Sequence, residues 1–283
     1  MTQELHIAFS PCPNDTFVFH AWAHGLIPGA PKLDVMFADI DITNGLAADG
    51  AGPEVLKISY AALPWVLDKY KLLSCGGALG RGCGPLVLTR KGAGAIKHPR
   101  ELSGRRIAVP SERSTAYLLF RLWVAQQVQG GPAEIVVMPF DEIMPAVQKG
   151  EIDAGLVIHE ARFTYPSYNL NLLTDLGSWW ESDTGLPIPL GAIIARRDLD
   201  HDAITGWIRS SLQYAWDHPL DCQEYVLSHA QELSPEVAKS HIDLYVNEFT
   251  MSLGEDGYAA ISALLNRAAA EGLVPAVDPS LLR

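Results

Sequence analysis

A chain of 283 residues is long enough for two lobes with separate cores, and 48% hydrophobic with 19% charged residues is the composition of a globular protein rather than a disordered one. The formal net charge of -12 disfavours nucleic acid and anionic membrane as partners, since both need a basic surface. It leaves room for an anionic small molecule, because helix N-termini and a few placed donors hold a carboxylate even in an acidic protein. The opening MTQELHIAFSPCP has neither a basic region nor a long apolar stretch, which predicts no secretion signal. No apolar run reaches the roughly 20 residues that a membrane-spanning helix needs. Cys12, Cys75, Cys83 and Cys222 are widely spaced without a C-x-x-C pair, and read as reduced thiols of a cytoplasmic protein rather than a disulfide frame or zinc site.

Short apolar runs alternate with helical periodicity, the signature of βαβ units and mostly parallel sheets. We expect strands at 5–9, 33–37 and 55–58, a helix at 16–24 after a Pro/Asn/Asp turn, and a further helix at 61–70. The glycine-rich stretch 76–84 leads into a strand at 85–89. It contains no G-x-G-x-x-G or G-K-[ST] pattern and precedes a strand, so it reads as a turn and not as a nucleotide loop. Strands at 106–109, 135–138 and 154–158 flank helices at 114–128 and 141–149, the first with Leu118, Leu119, Leu122 and Trp123 at helical spacing. Gly150 stands where a left-handed helix end favours glycine. Trp179 and Trp180 fall in a loop, where packing is the simpler role. A strand at 189–195 precedes four helices, at 207–216, 221–228, 235–246 and 255–271.

This order predicts an α/β protein of two lobes with two hinge crossings, near 87–90 and 191–195. One lobe is discontinuous, 1–88 with 193–283, and the other, 89–192, is inserted into it. Closure around a ligand in a central cleft is the usual use of such a hinge.

A small polar or titratable residue follows four of the strands directly: Ser10 after HIAF, Ser59 after VLKI, Ser111 after RIAVP and His159 after AGLVI. Ligands of open parallel sheets bind beyond the carboxyl ends of the strands. One serine after a strand is more often a cap or turn residue; four such positions favour a site. The segment 111–115, SERST, opens a strong helix and offers hydroxyls and backbone N–H groups to a carboxylate, besides capping by Ser114. His159 is the candidate base, because an imidazole exchanges protons near neutrality; the competing role is a structural histidine bonded to backbone. His20 and His24 share a helix face, but no acidic partner motif accompanies them, and no metal site is expected. His98, His201, His218, His229 and His241 read as surface or helix residues. No G-x-S-x-G elbow is present.

Three strings carry a family resemblance: Ser10-Pro11-Cys12-Pro13-Asn14-Asp15-Thr16-Phe17, then Lys57-Ile58-Ser59-Tyr60, and Gly155-Leu156-Val157-Ile158-His159-Glu160 with Arg162-Phe163-Thr164-Tyr165. They closely resemble the 1,4-dihydroxy-6-naphthoate synthases of the futalosine route to menaquinone, and the likeness runs over nearly the whole chain. The resemblance implies a fold like that of type II periplasmic binding proteins, used as a cytoplasmic lyase that needs neither metal nor redox cofactor. It implies cyclic dehypoxanthinyl futalosine as substrate, converted to 1,4-dihydroxy-6-naphthoate by base-initiated fragmentation and aromatisation. It also implies His159 as the proton acceptor, and Lys57, Ile58, Ser59, Ser114 and Thr115 as substrate contacts. Ser114 departs from the threonine expected there but keeps a hydroxyl. Ser10, Asn14, Asp15 and Arg162, in the same strings, are expected to contact the substrate too.

The expected partner is a small carboxylate, without nucleic acid or stable membrane association, for a monomer or homodimer. Two alternatives stay open. A chorismate dehydratase of the same pathway is one, against which the S-P-C-P-N-D and I-H-E-x-R-F-T-Y strings speak. The other is a non-catalytic small-molecule-binding protein of the same fold, which would carry a secretion signal or a lipid-anchoring cysteine.

Overall fold

The computed structural model describes residues 4–92, 94–230 and 234–283. The chain opens with β1 (Glu4–Phe9), α1 (Pro13–Ala23), β2 (Lys32–Phe37), α2 (Ile40–Asp49) and β3 (Val55–Ser59). These are two βα units whose strands run parallel in the order β2-β1-β3. Pro13 starts α1, where its missing N–H costs nothing and its ring pre-sets the helical φ. Phe19 of α1 stacks on Phe9 of β1 with ring centroids 4.7 Å apart, and each such buried ring adds about 2–3 kcal/mol to the core. The helix expected at 61–70 does not form. Pro64 cannot donate the hydrogen bond of a longer helix, and the chain instead makes a 3₁₀ turn at Tyr60–Trp65, then β4 (Tyr70–Leu72) and β5 (Ala78–Gly80).

A second sheet follows. It is built from β6 (Leu86–Arg90), β7 (Arg106–Val109), α3 (Thr115–Gln127), β8 (Glu134–Val137), α4 (Phe140–Lys149), β9 (Ala154–Val157), the single turn α5 (Ala161–Thr164), β10 (Leu170–Asp175) and α6 (Leu176–Thr184). Its strand order is β10-β6-β9-β7-β8. Ile143, Met144 and Val147 of α4 enter its core with Leu86, Leu88 and Ala108. The chain then returns through β11 (Ile188–Arg196), α7 (His201–Asp217), α8 (Pro219–His229), α9 (Pro235–Tyr245), α10 (Glu248–Met251) and α11 (Gly254–Ala270). β11 inserts between β3 and β4 of the first sheet, and Ile204, Ile208 and Leu212 of α7 join Phe17, Val18 and Trp22 of α1 in one core.

The chain divides into two compact units, Met1–Gly80 with Pro189–Arg283, and Arg81–Ile188. The division falls ahead of 88/89 and of 192/193, because β6 pairs within the second sheet from Leu86 onward and β11 pairs within the first from Gly191 onward. The mostly parallel expectation needs correction at those same strands. β6 is antiparallel to β9 and β10, and β11 is antiparallel to β3 and β4. Apolar runs announce a strand but carry no information on its direction. α6 replaces the loop expected around Trp179 and Trp180, its start capped by the Asp175 carboxylate on Gly177 N and Ser178 N at 2.8 and 3.2 Å. Trp180 is fully buried, as packing requires, and its Nε1 donates to the Pro187 carbonyl at 3.0 Å.

Candidate active site

In the first unit, Ser10 leaves β1 and Ser59 ends β3, and because these strands are parallel neighbours both residues reach the same edge of the sheet. The Ser10 hydroxyl donates to Cys12 Sγ at 2.9 Å and accepts the Cys12 N–H at 3.3 Å, which shapes the turn into α1. Asp15, in the first turn of α1, forms a buried ion pair with Lys57 Nζ from the middle of β3. Lys57 also approaches the Gly76 carbonyl at 3.4 Å. Asn14 Nδ2 donates to Asp15 Oδ1 at 2.8 Å, and Asn14 Oδ1 faces His241 Nε2 of α9 at 3.0 Å. Burial pushes the Asp15 carboxyl above its ordinary range, and the adjacent ammonium opposes that shift. Ile58 turns to the other face of β3, wholly buried opposite Ala192 of β11.

In the second unit, β7 and β9 are parallel neighbours, so Ser111 and His159 reach one edge of that sheet. Ser114 caps α3: its Oγ accepts the Tyr117 N–H at 3.1 Å and donates to the Ser111 carbonyl at 3.0 Å. The proton and one of the two lone pairs of that hydroxyl are therefore used inside the turn, and Thr115 is buried at the first helical position. His159 has φ of 54°, a left-handed conformation that costs a side-chain-bearing residue about 1–2 kcal/mol. The Phe140 ring lies edge-on to its imidazole, centroids 5.2 Å apart. Arg162 is bound to the framework. Its guanidinium donates to the Gly84 carbonyl at 2.7 Å and to Asp175 Oδ2 at 2.5 Å, the same carboxylate that caps α6. Gly84 and Gly177 meet backbone to backbone there; an added Cβ on Gly84 would stand 2.0 Å from Gly177 N.

His20 and His24 do not converge on a common point. His20 Nδ1 lies 3.3 Å from Cys222 Sγ, while His24 Nδ1 lies 2.8 Å from the His20 carbonyl. All four cysteines are buried and none is in a disulfide, and burial raises the thiols of Cys75 and Cys83 to about 12 and that of Cys222 to about 11.

A family described as menaquinone biosynthesis matches residues 5–270. The chain belongs to that family. It is 66% identical over 281 residues to the 1,4-dihydroxy-6-naphthoate synthase of Streptomyces coelicolor, covering 98% of this chain and 97% of that one. The synthase of Thermus thermophilus is 46% identical over 274 residues, with 96% of each chain covered. Among solved structures, a protein of Archaeoglobus fulgidus matches with a TM-score of 0.87 at 36% identity, over 96% of this chain and 98% of that one. The alkanesulfonate-binding protein of Xanthomonas axonopodis pv. citri gives 0.73 at 14% identity over 99% and 96%, so the fold is that of periplasmic binding proteins, as the three strings imply. Among the described residues no helix is long and apolar enough to cross a membrane.

Three residues in this member of the menaquinone-biosynthesis family escape sequence reasoning. Asn44 sits in α2, which the Asn-Gly pair inside it disguises as a turn. Its amide holds Ser59 by two hydrogen bonds, Ser59 N to Oδ1 at 2.8 Å and Nδ2 to Ser59 Oγ at 3.0 Å. His241 reads as a helix residue and is one, but it is 1% exposed and reaches across to Asn14. Gly191 faces Ser59 across β11, and an added Cβ would stand 2.8 Å from Lys57 Cε. The lack of a side chain there makes room for the lysine stem. Only the last had a visible signal, a glycine inside a strand.

Proposed function

We propose that the chain is a 1,4-dihydroxy-6-naphthoate synthase of menaquinone biosynthesis, that it acts on cyclic dehypoxanthinyl futalosine, and that His159 is the base that starts the reaction. Removal of a proton beside a carbonyl lets the sugar-derived fragment leave, and aromatisation of the remaining ring drives the sequence forward. The observation that carries the role of His159 is its left-handed backbone directly after β9. A histidine kept in a conformation that glycine would adopt freely is more economically explained by what its imidazole does than by packing. The α3 N-terminus at Ser114 and Thr115, with its N–H groups, and the hydroxyl of Ser59 supply donors for the substrate's oxygen atoms, and Ser10, whose hydroxyl proton goes to Cys12, contributes an acceptor oxygen. Lys57, Asp15, Asn14 and Arg162 contribute by holding those elements in place. The reading puts the enzyme in the cytoplasm, supported by four buried cysteines outside any disulfide, as a monomer or homodimer whose partner is the small carboxylate.

The test is to incubate purified protein separately with cyclic dehypoxanthinyl futalosine and with chorismate. A product absorbing as a dihydroxynaphthoate from the first alone is the expected result. Turnover of chorismate instead, or binding of either compound without product, would overturn it.

A further inference from the structure

Ser59 ends β3 only 1% exposed, and one side chain, Asn44, engages both its N–H and its hydroxyl. The Ser59 N–H can only donate, so the atom of Asn44 that faces it at 2.8 Å must be the amide oxygen. That choice leaves the Asn44 NH₂ facing Ser59 Oγ at 3.0 Å, and an amide nitrogen can only donate. The Ser59 hydroxyl is thereby cast as an acceptor toward Asn44, and its own proton is directed elsewhere. Among the described residues no protein group takes that proton. A buried donor left unspent is costly, and here it stands at a strand end on the edge of the sheet.

We infer that Asn44 is a positioning residue that orients the Ser59 hydroxyl so that its proton is offered to the substrate, and that the substrate atom received there is a hydrogen-bond acceptor, a carboxylate or carbonyl oxygen. The inference rests on the reading that Ser59 touches the substrate. It adds the polarity of that contact and the residue that sets it. Asn44 owes its place to α2: the left-handed Gly50 closes that helix, and Thr43, Asn44 and Ala47 form its buried face toward the sheet. The contact would discriminate by hydrogen-bonding character. An acceptor oxygen takes the Ser59 proton, whereas a group that can only donate leaves that buried proton unused.

The test is a double-mutant cycle on kcat and KM for cyclic dehypoxanthinyl futalosine, using Ser59→Ala, Asn44→Ala and the pair together. Each single variant is expected to raise KM on the order of tenfold with kcat within about twofold, and the pair to be no worse than Ser59→Ala alone. If Ser59→Ala leaves KM unchanged, the substrate contact itself fails. If Ser59→Ala raises KM but Asn44→Ala does not, or the two effects add in full, the contact stands and the role of Asn44 is refuted. Should Asn44→Ala not fold, the side-chain amide resonances of Asn44 decide the matter in the parent and in Ser59→Ala. One amide proton is expected to shift upfield when the serine oxygen is removed, and an unchanged pair of resonances would overturn the assigned polarity.

Discussion

Lys57, Asp15 and Asn14 in the first unit and His159 in the second are held in place by different physics. The first three are linked in the core, in a chain of side-chain contacts that runs from His241 of α9 through Asn14 and Asp15 of α1 to Lys57 of β3. His159 is placed by its backbone: a short strand ends, φ turns positive, and the imidazole is delivered beside Phe140. A network of buried polar and charged groups resists displacement, because removing one partner strands another away from water. A left-handed turn spends local energy, about 1–2 kcal/mol, to aim one side chain. The contrast separates anchoring from reaction, and it is open to direct attack.

The largest effect is expected at His159. Replacing it by Ala should cut turnover by about 10²–10⁴-fold, the range of a lost general base, while substrate affinity, measured by calorimetry on the inactive variant, stays within a few-fold. Near-normal turnover would end the assignment. Next comes the core pair: Lys57→Met strands the Asp15 carboxyl without its partner and should cost about 3–5 kcal/mol in urea unfolding. Adding Asp15→Leu should restore most of that loss. If Lys57→Met is instead mild in stability and severe in KM, the ammonium serves substrate rather than the core.

A smaller difference sharpens the claim about the turn. His159→Gly and His159→Ala are equally without an imidazole, yet the glycine variant should be the more stable by about 1 kcal/mol, since only alanine keeps a Cβ in the left-handed region. The smallest effect lies away from both sites. Burial and the neighbouring His24 hold the His20 imidazole below its ordinary value. As pH falls below about 6.5, the unfolded chain therefore binds that proton before the folded one does, and stability declines through this window. In His20→Gln the decline should be shallower, as read from denaturation midpoints between pH 7 and pH 5.

Much of this protein was legible from its residues. The positions of β1, β2, β3, β7, β8 and β9 followed from apolar runs, and α3, α4 and the C-terminal helices from periodicity and caps. The strand-end residues Ser10, Ser59, Ser111 and His159 followed from adjacency alone. α2 and α6 did not, because Asn-Gly in one and Trp-Trp in the other mask helices that tertiary burial and the Asp175 cap stabilise. Nor could periodicity tell that β6 and β11 run antiparallel to their neighbours, since a strand pattern reads the same in both directions.

The sequence by itself determined most of the strands and long helices and which residues stand at their ends, because both are local: they depend on side chains a few positions apart. Only the tertiary structure decided what those residues are bound to. Asn44 meets Ser59 across 15 positions, Lys57 meets Asp15 across 42, Arg162 meets Gly84 across 78, and His241 meets Asn14 across 227. Such pairings are set by packing of distant segments, where a hydrogen bond is worth keeping only because burial has removed the water that would compete for it.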